Sequence, residues 1–495
     1  MAGSFTAASF QPPVGDPADA NPACYASWVL LDSTAYFADR DDATTVQATT
    51  SAGHEFKVTF CLAEPPAVSY FCVHFPRVSV HECCATEPRV VSSANDLTLL
   101  CFAFTTGPPS TEDDDSHHLE YFVYKAASGG NQSIRPIPRS PPTYRPSWHA
   151  AIVPREDGSF LVADLDLNRD LGHYDLHIFS SETNDWSTKH VQLKEPPPGF
   201  LPRLTHKVIS LGEGTVGWVD LWRGILVCDV FEKDPLLRFI PVPKPLPKPD
   251  YDVHPESKAP SDYDMHPESE SEARSVRDVT GFPNGFINFT EIEHCTRWSK
   301  FINMRSFKTT AYLDFLDTIP DADLLRYHEE DIMEDEIKSA PDGWKIRTCF
   351  RSVSGHWRKG HALHVDDISA DPKLARQLLH LWDSTAEKCR VSNLKTTPVC
   401  PTFTIYGRGV VYLMCEVGAN RNTWMLGVDL GNKSLEVIKP YRASRVYYCN
   451  PTFMPCAFSE YLNTAPIPRP CDDEEAAIES AQNEEVAAES AQNVC

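Results

Sequence analysis

LGEGTVGWVDLWRGILVCDVFEKDPLLRFIPVP, residues 211–243, is the longest run in which every local signal argues for one structure. Thr215 to Leu221 is rich in β-branched and aromatic residues and predicts a strand. Trp222-Arg223-Gly224 predicts a turn, and Ile225 to Phe231 predicts a second strand that is almost wholly apolar. The polar Glu232-Lys233-Asp234-Pro235 reverses the chain again. Leu236 to Ile240 predicts a third strand, and Pro241 and Pro243 stop the pairing because proline cannot donate to a ladder. The product is a meander with no chemistry of its own.

The same layout recurs twice. Phe160 to Leu165, Tyr174 to Phe179 and Trp186 to Leu193 form one such unit, and Gly409 to Glu416, Thr423 to Asp429 and Ser434 to Ile438 form another. With a lead-in strand, each unit spans roughly 35 to 45 residues, the length of a propeller blade. Further strands are expected at Ser27 to Asp32, Glu55 to Leu62, Val68 to Phe75, Arg89 to Ser93, Asp96 to Phe104, His118 to Lys125, Gly285 to Glu293 and Trp344 to Val353. The expected fold is all-β dominant, a β-propeller-like ring of roughly six to seven four-stranded blades with a few helical insertions. Two helical stretches are expected. Asp321 to Ala340 has an acidic helical face, and Pro372 to about Lys388 carries Leu374, Leu378 and Leu381 on one face behind an Asp371 cap.

Polar stretches divide the chain. Residues 1–24 lack periodicity and are expected to be a disordered leader. Residues 25–243 form the first part of the propeller-like domain and 280–465 the second, separated by 244–279, where DYDVHPES is echoed by DYDMHPES. A polar tandem duplication cannot bury enough apolar area to fold, so that insert is expected to be disordered. Residues 466–495 form an acidic tail with a second duplication, Glu474 to Asn483 and Glu484 to Asn493, also expected to be disordered.

Composition narrows the function classes. The 41 prolines against 23 glycines signal many stops between short elements. With 45 basic against 69 acidic residues, a net charge of -24, the chain lacks the clustered cations that nucleic acid or an anionic membrane requires. There is neither a run of about 18 apolar residues nor a signal-peptide pattern at MAGSFTAASFQPP, so a soluble, cytoplasmic or nuclear monomer is expected. The 16 cysteines fall mostly inside apolar strands, as Cys61, Cys72, Cys101, Cys228 and Cys415 do, and are expected to be reduced core residues. The sequons at Asn131, Asn288 and Asn432 then carry little weight.

No catalytic, cofactor or metal residue is assigned. Gly212-Glu213-Gly214-Thr215-Val216-Gly217 fits a dinucleotide-binding glycine pattern, but a strand and turn follow it where a helix is required, so it reads as a glycine-rich β-turn. His81-Glu82-Cys83-Cys84 lacks the spacing that brings two thiolates to one zinc ion. His356, His361 and His364 with Asp366 and Asp367 are the densest titratable cluster, and they read as polar edge and turn residues. Asp164, Asp166, Asp220 and Asp229 stand near strand ends and read as acceptors for turn amides rather than a hydrolytic pair. Trp218, Trp222, Trp357, Trp382 and Trp424 read as packing between blades. No Walker loop, nucleophile elbow or kinase signature is present.

The run Gly214 to Val230 with Leu237 to Pro243, the early SWVLLD at Ser27 to Asp32, and the later Trp357 to Gly360 and Val365 to Ile368 together resemble the domain of unknown function 1618 family, a plant family expanded in grasses. The resemblance covers most of residues 25–460. It implies a layout similar to the propellers that follow F-boxes, and no functional residue to carry over. No F-box-like helical segment precedes the first strand, so a substrate-adaptor role would lack its ligase-binding half. Two functions are therefore expected in order: a non-enzymatic protein-interaction scaffold without cofactor, then a hydrolase or carbohydrate-binding propeller using Asp or His groups near the central channel. Carboxylates or histidines converging in a concave pocket would favour the second.

Overall fold

The inner and middle strands are buried on both faces, and this sets the architecture. Leu99 and Cys101 pack with Ile152, Val162 and Phe179, whereas the alternate residues Leu100 and Phe102 pack with Phe56, Phe71 and Val73. Side chains alternate across a strand, so such a run can satisfy both faces only between two other sheets. The computed structural model, which describes residues 5–13, 24–105, 117–141, 144, 146–168, 173–194, 205–243, 270–301, 336–374, 398–406, 409–417, 422–441 and 453–464, resolves this as six sheets in a ring. The protein is a six-bladed β-propeller, and its six main apolar clusters each lie between two neighbouring blades.

We number the blades I to VI. Blade II runs outward through Arg89–Ala94, Leu97–Thr105, His117–Lys125 and Ser133–Pro136. Blade III runs through Ala151–Pro154, Phe160–Asn168, His173–Ser180 and Asp185–Val191. Blade IV contains the decisive stretch, as Lys207–Ser210, Thr215–Asp220, Gly224–Asp229 and Leu237–Pro241, with Leu193–Lys194 pairing in parallel at its outer edge. Blade V comprises Arg277–Gly281, Phe286–Phe301, Glu336–Ser352 and Arg358–His364, and blade VI comprises Val399–Phe403, Val410–Val417, Asn422–Asp429 and Ser434–Pro440. The first strands of successive blades neighbour one another and line the channel.

Blade I closes the ring. Its innermost strand is Phe453–Cys456, from the far end of the chain, paired antiparallel with Val29–Asp32, which in turn pairs in parallel with Val68–His74. Glu55–Cys61 and Val46–Thr49 follow outward, and the short Tyr36–Phe37 pairs in parallel with Val68–His74. Side chains lock the seam: Tyr25 N donates to Asn463 Oδ1 at 2.7 Å, Asn463 Nδ2 donates to Tyr25 O at 3.0 Å, and Ser459 Oγ donates to Ala26 O at 2.8 Å. Phe458 follows the closing strand into the cluster between blades I and II, its ring 4.9 Å from that of Phe60.

Blade V departs from the others. Its second and third strands pair from Phe286 opposite Ser352 out to Phe301 opposite Glu336, but the flanking strands accompany them only as far as Glu291 and Lys345. Beyond that level the pair continues as a two-stranded ribbon of about eight residues per strand, roughly 25 Å at strand rise. Glu291 is opposite Arg277, the first residue of the inner strand, so the ribbon rises from the face on which the inner strands begin.

Several expectations are corrected. The stretch 270–279, expected within the disordered insert, forms the helix Glu270–Val276 and the start of strand Arg277–Gly281. Residues 336–340, expected at the end of an acidic helix, lie in a strand because their backbone pairs with 297–301. Within the expected leader, Ala7–Phe10 forms a 3-10 turn, and Phe5 packs on Phe37. Gly224 begins a strand rather than making the turn. A Cβ there would lie 2.3 Å from Ile240 O, so its role is close backbone approach. Asp371 accepts from Lys373 N at 2.7 Å as a cap would, and Pro372 to Leu374 is helical as expected; that helix beyond Leu374 lies outside the described residues, as do Trp382, the duplicated octapeptides and the acidic tail. Among the described residues no helix is long and apolar enough to cross a membrane.

Truncating the plug behind the closing strand tests the ring. Phe458→Ala should lower stability by about 3–5 kcal/mol, the usual range for a buried phenylalanine, in urea unfolding of the full-length chain. A loss below about 1 kcal/mol would show that the closing segment is not packed there.

Candidate functional site

Four inner strands start at one end of the channel and bring polar residues from distant parts of the sequence together. His206 and Lys207 lead blade IV, Arg277 and Asp278 lead blade V, Cys400 to Thr402 lie in blade VI, and Phe453 opens the closing strand. With Leu221 and Arg274 they line a cavity of about 30 Å³ at the channel mouth.

Charges at this mouth are largely matched within the protein. Lys207 Nζ lies 2.7 Å from Asp278 Oδ1, whose other oxygen accepts from Thr280 Oγ1 at 3.2 Å. Arg277 donates from Nε and Nη2 to Glu291 Oε1 at 2.9 and 2.7 Å and from Nη1 to Leu221 O at 3.3 Å. Its guanidinium lies 4.3 Å from the Trp222 ring centroid, and the second oxygen of Glu291 pairs with Arg347. Arg277 is thus spread over a carboxylate, a carbonyl and an aromatic face, a planar geometry that lysine could not reproduce. Arg274 donates to His206 O, and Leu221 N donates to His206 Nδ1 at 3.2 Å, so the neutral imidazole keeps its proton on Nε2.

A second polar cluster lies between blades II and III. Asp164, fully buried in mid-strand, accepts from Tyr144 OH at 2.6 Å, Ser147 Oγ at 2.8 Å, Ser147 N at 2.9 Å and Tyr121 OH at 3.3 Å. Burial pushes its carboxyl above the usual carboxylate range, opposed by these donors. Tyr144 stacks on His177 with centroids 3.9 Å apart, and His177 Nδ1 lies 2.9 Å from Thr188 Oγ1. These bonds pin the segment before Ala151–Pro154 onto two blades and present no accessible acid.

The other residues weighed from the sequence are dispersed. Asp220 Oδ1 accepts from Trp222 N and Arg223 N at 3.0 and 3.2 Å, and Asp229 Oδ1 accepts from Phe231 N at 2.9 Å, which are the turn roles expected. Asp164 differs, and Asp166 faces Asp175 across the blade III ladder. Gly212 and Gly214 both have positive φ in a β-turn, closed by Thr215 N donating to Gly212 O at 2.8 Å. A Cβ at Gly212 would sit 1.8 Å from Pro283 O, so the glycine lets blade IV touch blade V. His356 and His361 are exposed, with His364 and Asp366 on the outer edge of blade V, 3.4 Å apart. Cys83 and Cys84 have sulfurs 3.5 Å apart in the core, and no group of three metal-ligating side chains occurs among the described residues. Among the described cysteines Cys72, Cys101, Cys228 and Cys415 are buried and Cys61 is half-buried. Trp218, Trp222, Trp357 and Trp424 pack into clusters between blades. Only Asp220 and Trp222 of these candidates touch the mouth, as supports. Lys207, Arg274 and Arg277 carried no local motif; their one signal was a set of cations just ahead of short apolar strands.

Residues 218–412 match the model of a protein family of unknown function, DUF1618. The matched residues run from Trp218, within the second strand of blade IV, through the rest of that blade and all of blade V to the first part of blade VI, and include Arg274, Arg277 and Asp278 of the mouth. No curated protein matches the chain. Among solved structures, it is similar to an alpha-L-arabinanase of Penicillium chrysogenum complexed with arabinobiose, at 11% identity and a TM-score of 0.26, with 72% of this chain and 81% of that chain covered.

Two changes test these networks. Glu291→Ala should cost about 3–5 kcal/mol in urea unfolding because it strips Arg277, which is nearly buried, of its carboxylate; a near-neutral result would mean that the pair is solvated. Burial holds His177 below its ordinary value of 6.5, so its contribution to stability is present above that pH and is lost as the pH falls through it. The melting temperature should therefore fall less steeply from about pH 7.5 to about pH 5 in His177→Gln than in the parent, and an unchanged slope would remove His177 from the account.

Proposed function

We propose that this chain is a non-enzymatic protein-interaction module whose working surface is the face bearing the channel mouth and the blade V ribbon. The observation that carries this reading is the size of the mouth cavity. Small-molecule sites usually enclose about 300–1,000 Å³. At about 30 Å³, the enclosed space at the mouth is far below that range. Its one lining carboxylate, Asp278, is engaged with Lys207, and the nearby Glu291 is engaged by two arginines. A hydrolytic pair needs one carboxyl group held protonated or poised as a nucleophile, with substrate between the two. A rigid ring presenting loops and a projecting ribbon suits protein recognition instead. A protein partner, no cofactor, no nucleic acid and a cytoplasmic or nuclear setting complete the proposal.

Affinity purification of the tagged full-length chain with cross-linking mass spectrometry should recover the same protein in independent preparations, with cross-links at Lys207 or Lys345. A panel of sugars and nucleotides should leave the melting temperature unchanged. Thermal stabilisation by a small molecule without a reproducible partner would reverse the assignment.

A further inference from the structure

We propose that the channel mouth receives one carboxylate of an acidic segment on a partner protein, a proposal that rests on the interaction reading above and specifies its chemistry. The lining combines two kinds of surface. Lys207, Arg274 and Arg277 supply positive charge, and Leu221, Pro401 and Phe453 supply apolar contact suited to the methylenes of a glutamate side chain.

Donor capacity selects the recognising residue. Arg277 gives three of its five N–H donors to Glu291 and Leu221 O and is buried, so it contributes chiefly field. Lys207 has three N–H donors and gives one to Asp278 at 2.7 Å, so it can hold that bond and give another to an incoming oxygen. Its side chain is 16% exposed, which keeps the new ion pair poorly screened by salt and water. The whole chain carries a net charge of -24, so an acidic partner is repelled elsewhere and drawn to this mouth, which makes the site selective.

A fluorescein-labelled hexaglutamate peptide is the probe, titrated into the full-length chain and followed by fluorescence anisotropy. Saturable binding is expected, and none is expected for hexaglutamine. Lys207→Gln should weaken it by about tenfold or more, Lys207→Arg should retain it, and Lys57→Gln, at a lysine paired with Asp39 and Asp41 on blade I, should leave it unchanged. Arg274→Gln provides a second variant at the mouth and should weaken binding severalfold. Asp278 keeps its bond from Thr280 in the Lys207 variants, and matching melting curves will show that they fold. Equal binding by Lys207→Gln, Lys57→Gln and the parent, or no saturable binding, overturns the proposal. A full-length chain with its tail carboxylates at Asp472, Asp473, Glu474, Glu475, Glu479, Glu484, Glu485 and Glu489 converted to amides should bind as the parent does. Binding about tenfold tighter would give the mouth to the chain's own tail and overturn the partner assignment. Failure of hexaglutamate alongside a reproducible cross-linked partner would remove the carboxylate chemistry and leave the interaction reading in place.

Discussion

The pairing of Val29–Asp32 with Phe453–Cys456 is the constraint on which the rest of the molecule depends. Every blade is apolar on both faces, so none can stand at an end of the series without exposing a core surface. The seam removes both ends at once. It sets Leu30 and Phe453 into the cluster with Tyr412 and Met414 of blade VI, and sends Val29, Leu31 and Cys456 into the cluster with Phe102 and Phe122 of blade II. Joining segments almost a whole chain apart costs about 5 kcal/mol of loop entropy plus a constant. Two interfaces between blades, each holding many buried side chains worth about 1.5–3 kcal/mol apiece, offset that cost.

Closure also creates the mouth. The inner strands are short, and their leading residues reach the channel before the sheet pairing begins to bury apolar side chains. Placing lysine and arginine there is tolerable only because each meets a carboxylate, a carbonyl or an aromatic face within the ring. Such a network is costly to break and contributes little net stability when intact.

Much of the fold was legible because both faces of the middle strands are buried. LVADL, ILVCD and VVYLMCEV read as strands whichever face is taken, and turn signals such as Asn184, Gly212 and Lys433 mark hairpins where the structure has positive φ. The closing strand FMPC was not legible, since four residues with a proline resemble a loop until a partner from the other terminus pairs with them. Arg277–Gly281 was hidden by the polar repeats before it, and the acidic period at 336–340 resembles a helix although cross-strand pairing decides otherwise. The mouth was least legible of all. Its residues come from four segments that only the ring brings together, and none of them forms a motif within its own stretch.

Native-state hydrogen exchange read by mass spectrometry tests the closed ring most directly. If the account holds, the amides of Val29 to Asp32 and of Met454 and Cys456 exchange only with global unfolding, at the same protection as Leu99 to Phe102 and Val411 to Met414 in intact blades. Rapid exchange at the two seam segments, with the other inner and second strands still protected, would contradict it.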